Sequence, residues 1–177
     1  MTQDNYTLKD IEKFLEINET IKEEEHSISL RKLLNVKNKI SIFKNIDTID
    51  LKAIVYDVEF IKYRFKDYVV KESDDSNNIL YIINGECQVF HNKKRVGTLH
   101  AGEIFGETAA IFNTKRNASV VCSSKEATLL SFSIDQENMA FCADALATLY
   151  KNLAFEINAK LEDLNDSFIQ RKKIFNT

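Results

Sequence analysis

Two kinds of hydrophobic spacing divide the chain. Between Val58 and Ile134 short apolar or alternating runs are separated by polar turns, and beyond Leu146 apolar residues recur every three or four positions. Val58–Tyr63 and Tyr68–Lys71 alternate, and Ile79–Ile83, Glu86–Phe90, Arg95–Leu99, Val120–Cys122 and Thr128–Ile134 are further short runs. Each reads as a short strand, and polar turns such as Ser73–Asn78 and His91–Lys94 lie between them. Asn84-Gly85 predicts a hairpin between the two strands it joins. Many short strands at regular spacing predict an α+β chain built on an antiparallel β-roll, jelly-roll-like in form.

Helical spacing frames this region. Thr7-Leu8-Lys9-Asp10 has the form of a capped helix start, followed by Leu8, Ile11, Phe14, Leu15 and Ile21 on one face. Leu30, Leu33 and Leu34 continue a helical pattern toward Ile40, and Asp47 precedes a short capped helix through Ile54. Leu146, Leu149, Leu153, Ile157, Leu161, Leu164 and Phe168 form one long stripe that no glycine or proline interrupts. The predicted division is a helical extension over 1–40, a β-roll over 41–135 and a C-terminal helical segment over 136–177. The extension serves either as packing for the roll or as a docking or dimerisation arm. A stripe as long as that of the last segment suggests a partner.

Composition narrows the function classes. With 177 residues, 44% of them hydrophobic, the chain can bury a core, and its formal net charge of −3 advertises no nucleic-acid surface. No apolar run approaches the roughly 20 residues of a membrane span, and the N-terminus has no apolar signal core, so a cytoplasmic protein is expected. Cys87, Cys122 and Cys142 lie in apolar segments without metal-binding spacing and are expected to be buried free thiols. His26, His91 and His100 read as surface residues, and no metal or cofactor is implied.

Candidate chemistry concentrates in Ala101–Val121, AGEIFGETAAIFNTKRNASVV. Gly106 removes a side chain where a short helix begins, so the helix's first N–H groups can approach an anion closely. Arg116 can return to the same place with a charge-assisted contact, and phosphate suits both. Glu107 would repel a phosphate, so it makes sense only facing hydroxyl donors such as those of a ribose.

Phe105-Gly106-Glu107, the small residues after it, and Arg116 followed by Ala118-Ser119-Val120 resemble the phosphate-binding cassette of cyclic nucleotide-binding domains. The interval from Glu107 to Arg116 is similar to that of the kinase regulatory form. The resemblance implies that Gly106 and the backbone of Thr108 and Ala109 hold the cyclic phosphate, that Glu107 takes the ribose 2′-hydroxyl, and that Arg116 pairs with the exocyclic phosphate oxygens. Phe105, Asn117, Ala118 and Ser119 complete the implied site. It further implies that Asp67 and Asp74 stand where the family's turns carry glycine, in left-handed conformations that aspartate tolerates. The ligand it implies is cyclic AMP or cyclic GMP, with adenine favoured, while the amide of Asn117 leaves guanine open.

By the same resemblance the C-terminal helix makes a homodimer and caps the ligand, bringing Tyr150, Asn158 or Lys160 within reach of the base and passing the signal to a partner protein. Only Asn165–Thr177 remain beyond Leu164, too few for a winged helix-turn-helix, so direct DNA binding is not expected. No nucleophile or metal cluster accompanies Glu107 and Arg116, so binding rather than catalysis is expected. The alternative is a ligand-free roll, kept as an interaction module, in which Arg116 and Glu107 pair with each other.

Overall fold

The computed structural model describes residues 27–134 and 142–175, with the backbone alone at 163, 164 and 166–175. The helix expected from Thr7 lies outside the described residues. Helix α1 occupies 27–36, and two short 3-10 turns, Lys37–Lys39 and Ser41–Phe43, lead to α2 at Thr48–Ile54. Asp47 caps α2 by accepting a hydrogen bond from the Asp50 N–H at 2.8 Å.

Eight strands follow: β1 Val55–Arg64, β2 Tyr68–Val70, β3 Ile79–Asn84, β4 Glu86–His91, β5 Lys94–His100, β6 Ile104–Phe105, β7 Ser119–Cys122 and β8 Glu126–Ile134. Helix α3, Glu107–Phe112, sits between β6 and β7, and α4 runs from Ala143 to Phe175. All pairings are antiparallel, giving two four-stranded sheets, β1-β8-β3-β6 and β2-β7-β4-β5. The result is the expected β-roll with helices at its ends and one long C-terminal helix.

The Asn84-Gly85 hairpin does not form. Strand β3 belongs to one sheet and β4 to the other, and the glycine between them carries the chain across. Gly85 has φ +94°, and a Cβ there would stand 2.7 Å from Ala127 Cα and from the Glu126 carbonyl oxygen. The crossing therefore needs both a left-handed residue and a missing side chain. Gly85→Ala should lower the melting temperature by clearly more than Gly97→Ala, where a Cβ meets nothing within 4 Å. Equal melting temperatures for the two variants would contradict this. The true hairpin joins β4 to β5 through Asn92 and Lys93, with φ +50° and +63°, as a type I′ turn requires.

The turns before β2 and β3 also differ from expectation by one position. Lys66 (φ +72°) and Ser73 (φ +70°) are left-handed, not Asp67 and Asp74. Asp67 instead uses its carboxylate to accept from the Arg64 N–H at 2.8 Å, a side-chain role that leaves its own backbone free of strain.

One core cluster joins Leu33, Ile42, Phe43, Leu51 and Ile54 to Phe132 of β8 and to Leu146, Leu149 and Leu153 of α4. The first part of the C-terminal stripe is thus covered within this chain. Asn152 of α4 donates to the carbonyls of Ile42 (2.9 Å) and Lys44 (2.8 Å). A second cluster, including Leu80, Ile82, Cys87, Phe105, Val120, Cys122 and Leu129, fills the space between the sheets. Cys87 and Cys122 face each other across β4 and β7, and burial, with Cys122 beside it, pushes the Cys87 thiol up to about 12. All three cysteines are free; Cys142 is only partly buried.

Candidate functional site

Strand β6 delivers Phe105 to the inner face of the roll, and Gly106 turns the chain into α3. Gly106 is left-handed (φ +83°, ψ −2°) and caps the helix, its carbonyl accepting from the Ala110 N–H at 3.2 Å. The N–H groups of Glu107, Thr108 and Ala109 therefore precede the helical ladder, at the positive end of its dipole. A Cβ on Gly106 would overlap Arg116 Nη1. The glycine is required as much by the arginine as by the turn.

Arg116 is 4% exposed. Its Nη1 donates to the Gly106 carbonyl at 3.1 Å, and its Nη2 to Ser76 Oγ at 2.9 Å, the Asn78 carbonyl at 2.8 Å and Asn78 Oδ1. Its backbone is tied to the same segment, through Arg116 N–H to the Asp74 carbonyl (3.0 Å) and Ser73 N–H to the Arg116 carbonyl (2.8 Å). Asn78 is itself held by donating to Ser131 Oγ at 2.6 Å. Every acceptor around the guanidinium is neutral, and among the described residues no carboxylate lies within ion-pair distance of it. Its Nε is buried with no hydrogen-bond partner. Burial lowers the guanidinium pKa, an effect that the more distant charges of Glu107 and Asp74 oppose.

A buried cation without a carboxylate, and with one donor left over, is costly unless an anion completes its shell. Beside it is a cavity of about 210 Å³. Its lining includes Phe105, Gly106, Glu107, Thr108, Ala109, Arg116, Asn117 and Ala118, eight of the residues the sequence singles out. Val70, Val89, Leu99 and Val120 supply apolar walls. The pairing of Arg116 with Glu107 expected for a ligand-free roll is absent.

Four of the expected contacts lie elsewhere. Ser119 faces the opposite side of its strand, where its Oγ accepts from the Glu72 N–H at 2.9 Å, because alternation along β7 sends Val120 inward instead. Tyr150 packs against the helical core cluster, and Asn158 is exposed, donating to Glu162 Oε1 at 2.8 Å. Lys160 donates to the carbonyl of Ile104, just before Phe105, without lining the cavity. Helix α4 packs on α2 and the Ser41–Phe43 turn, whereas the cavity is walled by β2, β4, β5, β6, β7 and α3. Conversely, Ser76 and Asn78 hold the central arginine from about 40 positions away in sequence. Their only signal is a polar turn before an apolar strand.

Residues 60–140 match the family model described as the cyclic nucleotide-binding domain. Over that segment, 81 of the 177 residues, the chain is similar to the cyclic nucleotide-binding domain family. Among curated proteins it is 35% identical over 80 residues to a cGMP-dependent protein kinase of Toxoplasma gondii, covering 45% of this chain and 8% of that one. It is 28% identical over 116 residues to human cGMP-dependent protein kinase 2, covering 65% and 15%. The chain thus spans a small fraction of these kinases' length, and the domain is what they share.

Among solved structures, a cyclic nucleotide-binding domain from Methylobacillus flagellatus superposes with a TM-score of 0.62 at 20% identity, over 80% of this chain and 83% of that one. The catabolite activator protein of Thermus thermophilus gives 0.53 at 17% identity, over 75% and 63%. These establish the fold of the domain. Among the described residues no helix is long and apolar enough to cross a membrane, and no cluster of His, Cys, Asp and Glu is arranged to hold a metal.

Proposed function

We propose that this chain is a cyclic-nucleotide sensor that takes a cyclic purine mononucleotide in the cavity between α3 and β7. The observation that carries this reading is the buried, carboxylate-free Arg116 with its unpartnered Nε beside that cavity. A cyclic phosphate supplies the missing countercharge, the N–H groups at the start of α3 add donors, and Glu107 is left to accept from the ribose hydroxyl. Such a site binds and holds; it offers no group to break a bond.

The sequence resemblance favours adenine, the cGMP-dependent kinases among the relatives favour guanine, and the amide of Asn117 at the cavity edge can serve either. The signal is read out by α4, by a shift between arrangements that differ in their contacts with the occupied cassette. The bond from Lys160 to the Ile104 carbonyl, next to Phe105 and Gly106, supports this link. Homodimerisation through the distal part of α4 and a downstream protein partner belong to the same proposal.

Thermal melting with each nucleotide tests it. A ligand at a hundred times its dissociation constant adds about 2.7 kcal/mol, several degrees in a domain of this size. The larger of the two increments identifies the base. No shift with either nucleotide at millimolar concentration would reduce the chain to an empty roll used as an interaction module.

A further inference from the structure

We propose that the outer face of the sheet formed by β2, β7 and β4 is a docking surface for an acidic segment of a partner protein, one carrying an apolar side chain between carboxylates. This face is the reverse of the wall that lines the nucleotide cavity, since Val70, Val89 and Val120 point inward while Tyr68, Phe90 and Val121 point outward. The outward residues floor a basin of about 860 Å³, much larger than the nucleotide cavity.

Lys66, Lys71 and Lys93 line the same basin, and among the described residues none of them has an ion-pair partner. The one carboxylate there, Glu72, is already committed, to His91 Nδ1 at 2.9 Å and to the Asn92 N–H at 3.0 Å. A chain of net charge −3 thus presents a local cationic patch. Two of its three lysines, Lys66 and Lys93, occupy left-handed backbone positions, where glycine or asparagine would be less strained. The Lys71 ammonium lies 5.6 Å from the centre of the exposed Tyr68 ring, so the floor holds one of the cations as well as the apolar surface.

The chemistry selects the occupant. A concave aromatic and aliphatic floor seats an apolar side chain, which a lipid headgroup does not provide. The basin is lined by three ammonium groups and no arginine, and the chain's overall negative charge opposes a long polyanion. An acidic peptide with an aromatic or aliphatic anchor matches both the floor and the rim.

Selection from a phage-displayed random peptide library against the whole chain tests this. The expected winners have aspartate or glutamate flanking an apolar residue, and lose roughly tenfold or more in affinity for the K66E/K71E/K93E variant. The neutral K66N/K71Q/K93N variant should show an intermediate loss; asparagine tolerates the left-handed positions, so it remains informative should charge reversal disturb folding. The proposal is overturned if the winners are neutral, basic or absent, or if they bind both variants as well as the parent. Tighter binding of anionic phospholipid vesicles or of a single-stranded oligonucleotide through the same lysines would overturn it too.

Discussion

Arg116→Ala is expected to weaken cyclic nucleotide binding by roughly one and a half to three and a half orders of magnitude. Truncating one partner of a desolvated charge pair costs about 2–5 kcal/mol, and each 1.4 kcal/mol is tenfold in affinity. Here the full cost applies, because among the described residues no second cation lines the cavity and no carboxylate holds Arg116. The unliganded variant should melt near the parent. It loses four hydrogen bonds, but it also sheds the desolvation of a buried guanidinium, so the two changes oppose each other. Glu107→Gln should cost less than Arg116→Ala, since an amide still reaches a ribose hydroxyl. Calorimetric titration checks both, and an Arg116→Ala protein with undiminished affinity would remove the phosphate role from this residue.

Gly106→Ala is the second large effect. An alanine at φ +83° is strained by about 1–2 kcal/mol, which lowers the melting temperature before any ligand is considered. Its methyl group also displaces Arg116 Nη1 from the Gly106 carbonyl, so affinity should fall by roughly tenfold to a hundredfold for the loss of about 1.4–2.8 kcal/mol of oriented contact. Gly102→Ala separates the two causes. Gly102 has φ +94° but open space around its Cβ position, so that variant should melt lower and bind normally. If Gly102→Ala and Gly106→Ala lost affinity equally, overlap with Arg116 would not be the reason for the second effect.

Strands were legible as short apolar or alternating runs between polar turns, although β6, two residues long, was too short to show. Runs such as Ile79–Asn84 and Glu126–Ile134 were legible to within two residues. The partner of each strand was not. Asn84-Gly85 looks the same whether it folds a hairpin or carries the chain between sheets, and only the nearness of Ala127 and Glu126, some 40 positions away, decides. The left-handed residues before β2 and β3 were misplaced by one position for a related reason: Asp67 and Ser73 are each fixed by hydrogen bonds, to Arg64 and to Arg116, that composition does not display.

The cassette was legible because its chemistry is contiguous: Phe105 through Ala109 form one turn of chain, and a single loop brings Arg116 back. The cradle of Arg116 was not, since Ser76, Asn78 and Ser131 come from two other segments and carry no motif. The three residues proposed to touch the base failed to reach the cavity because a helical stripe shows which face is buried, not which neighbour buries it.

The two bonds from Asn152 to the carbonyls of Ile42 and Lys44 bolt the first three turns of α4 to the base of the roll. If α4 moves as proposed while those bolts hold, it would not travel as a rigid rod but bend about a fulcrum past Asn152. Most of the lever arm is then the distal half, so a small displacement of Lys160 beside the cassette would be magnified toward Phe175.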